Sequence, residues 1–157
     1  MTLQVDVQRR VKAWAPRARD IATWAGMAIG RRAIDGELGV RVVGSAESRR
    51  LNARYRGKDK PTNVLSFAPP YALRASGGGP PEREQRPLGD LVICAQVVRS
   101  EARQQGKPLQ AHWAHLVVHG ALHLIGYDHE RAAAAKRMER REIAVLRRLG
   151  FANPYRI

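Results

Sequence analysis

The sequence predicts an α+β fold: a small mixed sheet of about four strands packed with about five helices, with residues 1–157 forming a single domain. Three observations carry that expectation. The chain has 157 residues, enough for one compact domain and too few for two ordinary ones. Short strand-like runs are confined to the part before Ala95, and helical periodicity takes over after it. Hydrophobic residues at 44% and charged residues at 27% are the composition of a chain that buries a core.

Each element has a local reason. Leu3–Val7 alternates apolar and polar residues like an edge strand, and Pro16 suits the first turn of a helix reaching about Arg32. Glu37–Val43 reads as a strand bounded by Gly36 and Gly44, and Ser45 can cap a polar helix through Tyr55. Asn63–Phe67 and Leu88–Cys94 are further short apolar strands. Between them Ala68–Pro87, with Pro69-Pro70, three consecutive glycines and Pro80-Pro81, predicts a flexible surface loop. Helices follow, one stopping near Gly106, one from Pro108 to about Ile125, and one from Glu130 to Leu149. Gly106, Gly126 and Gly150 stand just past their ends.

Lysine and arginine total 28 against 14 acidic residues, a net charge of +14. That excess favours a polyanionic partner, nucleic acid first, and argues against a cationic substrate. The single cysteine, Cys94, excludes a disulfide framework and a cysteine-based zinc finger. The N-terminus lacks the apolar core of a signal peptide, and the longest uncharged apolar stretches, Ile21–Gly30 and Leu116–Tyr127, are too short to span a membrane. The expectation is a cytoplasmic protein with no membrane partner.

All five histidines lie between His112 and His129. Residues four apart on a helix are about 40° apart around the axis and about 6 Å along it, so His119 and His123 can reach one metal ion. Were the helix to continue, His129 would be turned roughly 120° away and raised about 9 Å. Gly126 permits a left-handed exit that folds His129 back as a third ligand. Three histidines leave one tetrahedral position open, the pattern of a catalytic zinc, expected here at the end of a helix in the C-terminal half. His112 and His115 continue the stripe and suit packing or hydrogen bonding behind the ligands, and Asp128 suits either orienting a ligand histidine or capping the last helix. The spacing HxxxHxxGxxH is shared with metzincin peptidases, whose general base is the glutamate after the first histidine. Gly120 occupies that position here, which argues against a peptidase.

The stretch HLVVHGALHLIGYDH, His115 to His129, resembles the signature of the YbeY family of rRNA maturation factors. Leu51-Asn52 with YRGKDKPTNVLSF (Tyr55–Phe67) and LGDLVIC (Leu88–Cys94) are similar to two further blocks of that family. The resemblance implies a single-strand-specific, metal-dependent endoribonuclease acting in 16S rRNA 3′-end maturation and ribosome quality control. It implies one zinc per chain held by His119, His123 and His129, and it places the family's functional arginine at Arg56. The small ribosomal subunit, a ribosomal protein and an assembly GTPase follow as partners from the resemblance alone. Asn63 departs from it, standing where many members have aspartate.

Read on its own chemistry, the run Arg49, Arg50, Arg54, Arg56, Lys58, Lys60 is either a solvated helix face or a phosphate-binding surface; Arg54, Lys58 and Lys60 are the RNA-binding candidates. Arg56 would stabilise charge on a pentacoordinate phosphate, and His119 would act through the metal. Water and the ribose 2′-hydroxyl both remain open as nucleophile, and zinc, nickel and iron as metal. Two other readings stand beside the nuclease: a non-catalytic zinc-containing rRNA-binding assembly factor, and a zinc hydrolase of another substrate.

Overall fold

In a computed structural model, which describes residues 3–33, 36–69 and 86–156, four strands form one sheet in the order β1-β2-β4-β3. Three of them, β1 (Gln4–Arg9), β2 (Gly36–Val43) and β4 (Arg86–Cys94), run parallel, and β3 (Val64–Phe67) is antiparallel to β4 at the far edge. The helices are α1 (Ala18–Ile29), α2 (Ser45–Arg56), α3 (Ala95–Gln105), α4 (Leu109–Leu124) and α5 (Ala132–Arg148), with a 3₁₀ turn at Gly30–Ala33. Five helices on a four-stranded mixed sheet make this an α+β fold.

Alternation decides which strand residues face which layer. Leu38, Val40 and Val42 of β2 and Leu91 and Ile93 of β4 point into the main core, built with α1, α4 and α5. Val43, Val92 and Cys94 turn the other way and join Leu65 and Phe67 beneath Leu51 of α2 and Val97 of α3. Helix α4 is the central element of the main core: Trp113, Ala114, Val117, Val118, Ala121 and Leu122 are all 0% exposed. No helix among the described residues is long and apolar enough to cross a membrane.

Several boundaries differ from the expectations for physical reasons. Pro16 lies ahead of α1 rather than in its first turn; its carbonyl accepts a hydrogen bond from Arg9 Nη2 at 2.6 Å, and the helix starts after Arg17. Ser45 is the first residue of α2, not its cap. Its hydroxyl and its backbone N–H both donate to Gln96 Oε1, at 2.5 and 3.1 Å, tying α2 to α3. Strand β4 begins two positions early because Arg86 and Pro87 extend the pairing with Gly36 and Glu37. Pro87 has no N–H to donate, and the register shifts between Glu37 and Leu38 where it sits. Helix α5 starts at Ala132, later than Glu130. Of the expected loop Ala68–Pro87, residues 70–85 lie outside the described residues.

The end of α4 matters most for function. Tyr127 N–H donates to the Leu122 carbonyl at 3.0 Å and Gly126 N–H to the His123 carbonyl at 3.1 Å, the paired bonds of a Schellman turn. Gly126 carries φ 104°, a conformation that side-chain-bearing residues rarely adopt. Replacing Gly126 by alanine is expected to cost about 1–2 kcal/mol of stability, read by chemical denaturation, and an unchanged midpoint would refute the strain argument.

Candidate metal centre

His119 and His123 leave α4 on the stripe that the core does not cover, and the turn at Gly126 returns His129 to them. His123 Nε2 lies 3.2 Å from His119 Nε2 and 2.9 Å from His129 Nδ1. The far nitrogens of the two helical histidines are already engaged. His123 Nδ1 sits 2.9 Å from the Tyr127 carbonyl, which can only accept, so Nδ1 carries the proton. His119 Nδ1 sits 3.1 Å from the Glu142 carboxylate and is likewise the donor. Two unprotonated Nε2 lone pairs therefore face each other, an arrangement that repels unless a cation lies between them. Tetrahedral zinc, with bonds of about 2.0–2.1 Å, places its ligand nitrogens about 3.3 Å apart. The residues present fit such an ion.

Protonation agrees with this geometry. Burial, then the neighbouring His119 and His129, push His123 down to about 4, so it is neutral at physiological pH, the form in which an imidazole can bind a metal. Burial acts to raise Glu142, but hydrogen bonds from His115, His119 and Tyr155 outweigh it and hold the carboxyl at about 2.

Glu142 is the residue that sequence reading missed. It is 1% exposed and accepts from His115 Nε2 at 2.6 Å, His119 Nδ1 at 3.1 Å and Tyr155 Oη at 2.7 Å. A signal existed: Glu142 falls on the buried face of α5 with Met138, Val145 and Leu146, where an acid needs a partner. His115, His119 and Glu142 also bring ligand atoms within 4.8 Å of one another, but hydrogen bonds already join them. His112 is a buried neighbour, 4% exposed, with Nε2 2.9 Å from Glu101. Asp128 Oδ1 accepts from Glu130 N–H at 2.9 Å, shaping the turn that carries His129, its carboxylate feels the charge of His129 and His123, and the residue at the cap position of α5 is Arg131.

Gly120, at the peptidase-base position, faces the sheet. A Cβ there would lie 2.8 Å from Leu91, 3.2 Å from Ser66 and 3.2 Å from Val64, and the Gly120 carbonyl accepts from Ser66 Oγ at 3.0 Å. A glutamate at this point would head into packed strands, not toward the histidines.

The three histidines line a cleft of about 280 Å³ whose other wall is the end of α2 and the segment after it. That wall presents Arg56, Lys58 and Lys60. The left-handed Gly57 ends α2, and Asn52 Nδ2 donates to the Lys60 carbonyl at 2.8 Å. Ser48 Oγ donates to the Thr62 carbonyl at 3.0 Å, so buried polar residues of α2 fold the segment back across the histidines. Asp59 is engaged by Arg49 at 2.7 and 3.0 Å, and among the described residues Arg56, Lys58 and Lys60 form no ion pair. Arg54 is not part of the cleft; its guanidinium lies over the Tyr55 ring, 5.4 Å from the centroid.

Two measurements test this centre. Glu142→Gln is expected to lower metal affinity about 10- to 100-fold in competition with a chromophoric chelator, and equal affinity would remove Glu142 from the orienting role. Between the ordinary histidine value of about 6.5 and about 4, the unfolded chain takes a proton at His123 that the folded chain resists. Stability of the metal-free protein should therefore be highest above pH 6.5 and fall as pH drops through that window. The denaturation midpoint of wild type should fall relative to that of His123→Gln as pH drops through that window; parallel curves would contradict the assignment.

A family model described as endoribonuclease YbeY matches residues 4–150. The solution structure of a target protein from Thermotoga maritima is 21% identical, with a TM-score of 0.57 over 98% of this chain and 100% of that one, a likeness of fold.

Proposed function

This chain belongs to the YbeY endoribonuclease family, metal-dependent enzymes of rRNA processing, and from that premise we propose that it is a zinc-dependent endoribonuclease specific for single-stranded RNA. Its proposed place is 16S rRNA 3′-end maturation and ribosome quality control in the cytoplasm. The small subunit, a ribosomal protein of that subunit and an assembly GTPase are its proposed partners, and residues 1–157 act as one catalytic domain. One observation supports the reading above the rest: three histidines suited to a metal and three cations without carboxylate partners among the described residues line the same cleft.

In this reading His119, His123 and His129 hold one zinc ion. Bound there, such an ion would supply Lewis-acid polarisation of a phosphoryl oxygen and would make a water at the site more acidic. Glu142 keeps the proton on His119 Nδ1, and the Tyr127 carbonyl keeps it on His123 Nδ1, so both helical Nε2 atoms stay available as ligands. Arg56 offers its planar fork of donors to the oxygens on which charge builds in the transition state. Lys58 and Lys60 bind flanking phosphates, an electrostatic contact that weakens as salt rises. Product ends distinguish the two nucleophiles: a 2′,3′-cyclic phosphate marks attack by the 2′-hydroxyl, and cleavage of an all-deoxy strand eliminates it.

Wild type, His119→Ala and Arg56→Ala, compared for bound metal and for cleavage of single-stranded RNA, test the assignment. Wild type should hold one zinc and cut, His119→Ala should lose both, and Arg56→Ala should keep the metal yet cut about 10²- to 10³-fold more slowly. Equal cleavage by all three would point to a contaminating nuclease. RNA bound but never cut would favour the assembly-factor reading.

A further inference from the structure

Beside the metal cleft lies a second and larger cavity of about 680 Å³, which the proposed chemistry leaves unused. The two adjoin. Asn63 lines both, and the histidine stripe of α4 runs from one into the other: His112 and His115 line the cavity, His119 and His123 the cleft. The His115 and His119 rings are 6.2 Å apart.

The walls of the cavity are held in place by buried polar contacts. Glu101 accepts from His112 Nε2 at 2.9 Å and from Asn63 Nδ2 at 3.1 Å. The Nδ1 atoms of His112 and His115 have no partner among the described residues, although both are buried. Tyr155 stands at the cavity with 45% of its surface exposed, yet it is pinned at several points. Its hydroxyl donates to Glu142 at 2.7 Å, its N–H donates to Asn153 Oδ1 at 2.9 Å, and the preceding Pro154 carbonyl accepts from Lys107 Nζ. The ring meets His115 edge-to-face at 5.3 Å. An exposed aromatic ring fixed in orientation is the platform on which single-stranded nucleic acids stack their bases.

The remaining lining says what such a platform would take. Gln104, Gln105 and Asn63 offer amide donors and acceptors of the kind that pair with base edges. Lys107 and Arg156 are partly balanced by Glu101, whose carboxylate would repel a phosphate seated deep in the cavity. A flat, neutral group rich in donors and acceptors fits this chemistry; a phosphate fits the neighbouring cleft with Arg56, Lys58 and Lys60. We propose that the second cavity is a nucleobase subsite: while a phosphodiester occupies the metal cleft, the base of an adjacent nucleotide stacks on Tyr155 and presents its edge to Gln104, Gln105 and Asn63. The inference rests on the RNA-cleaving reading and deepens it, assigning the choice of cleavage position to this cavity.

The probe is a short single-stranded uridine oligomer in which one 2-aminopurine, and separately one abasic nucleotide, is moved through every position. Binding is followed by fluorescence, and cleavage by the products formed. With wild type, one position relative to the cleaved bond should quench 2-aminopurine, and an abasic nucleotide at that position should weaken binding about tenfold or more. Tyr155→Phe keeps the ring and loses the bond to Glu142, so it should retain both effects even if its metal content falls. Tyr155→Leu should lose the quenching and bind intact and abasic oligomers alike. If no abasic position weakens binding to wild type, the subsite does not exist, a result that needs no variant to fold. If Tyr155→Phe and Tyr155→Leu behave identically, Tyr155 acts only through Glu142 and the proposal falls. Position-specific quenching without cleavage would uphold the subsite while overturning the nuclease reading.

Discussion

The buried carboxylate of Glu142 ties the functional half of the molecule together. An ionised group at 1% exposure is tolerated only with several hydrogen-bond partners, and Glu142 has partners on α4 through His115 and His119 and on the C-terminal segment through Tyr155. Three separate parts of the chain thus meet on two oxygens. The same contacts decide which nitrogen of His119 carries a proton and which is free to bind a cation. Stability and chemistry share one interaction here, because the arrangement that satisfies the buried charge also presents the lone pair.

Helix α4 works under a related constraint. Most of its circumference is sealed in the core, and Gly120 lets it approach β3 and β4 closely enough to leave Leu91, Ser66 and Val64 no room for a side chain there. Along its middle turns His115, His119 and His123 stay half-buried, at the edge of that core. Close packing on one side therefore aims the histidines on the other, and it explains in space what the missing glutamate suggests in sequence. A basic wall opposite completes the cleft, and its charge stays available because Asp59 is held by Arg49 at the surface.

Much of the fold was legible because its signals are local. Alternation marked β1 at the sheet edge, and the glycines at 106, 126 and 150 stood at helix ends, each with positive φ. Errors fell where a distant partner overrides local preference. Ser45 has the residue type of a cap, yet Gln96, fifty-one positions away, takes its hydroxyl. Pro87 reads as loop, yet β2 recruits it into β4. Arg54 and Arg56 look alike in the basic run, but only Arg56, the last residue of α2, lines the cleft, while Arg54 packs over Tyr55.

The sequence by itself determined the parts set by helix period and backbone freedom. Spacing of four placed His119 beside His123, and Gly126 supplied the reversal that brings His129 to them. Only the tertiary structure decided what surrounds those imidazoles. Glu142, Tyr155, Asn63 and Glu101 come from α5, the C-terminal segment, the approach to β3 and α3, and their residue types are ordinary at those positions in the chain. The physical reason is range. A turn or a helix face is set within a few residues, whereas the partner of a buried charge, and the wall of a cavity, are set by which elements the core forces together.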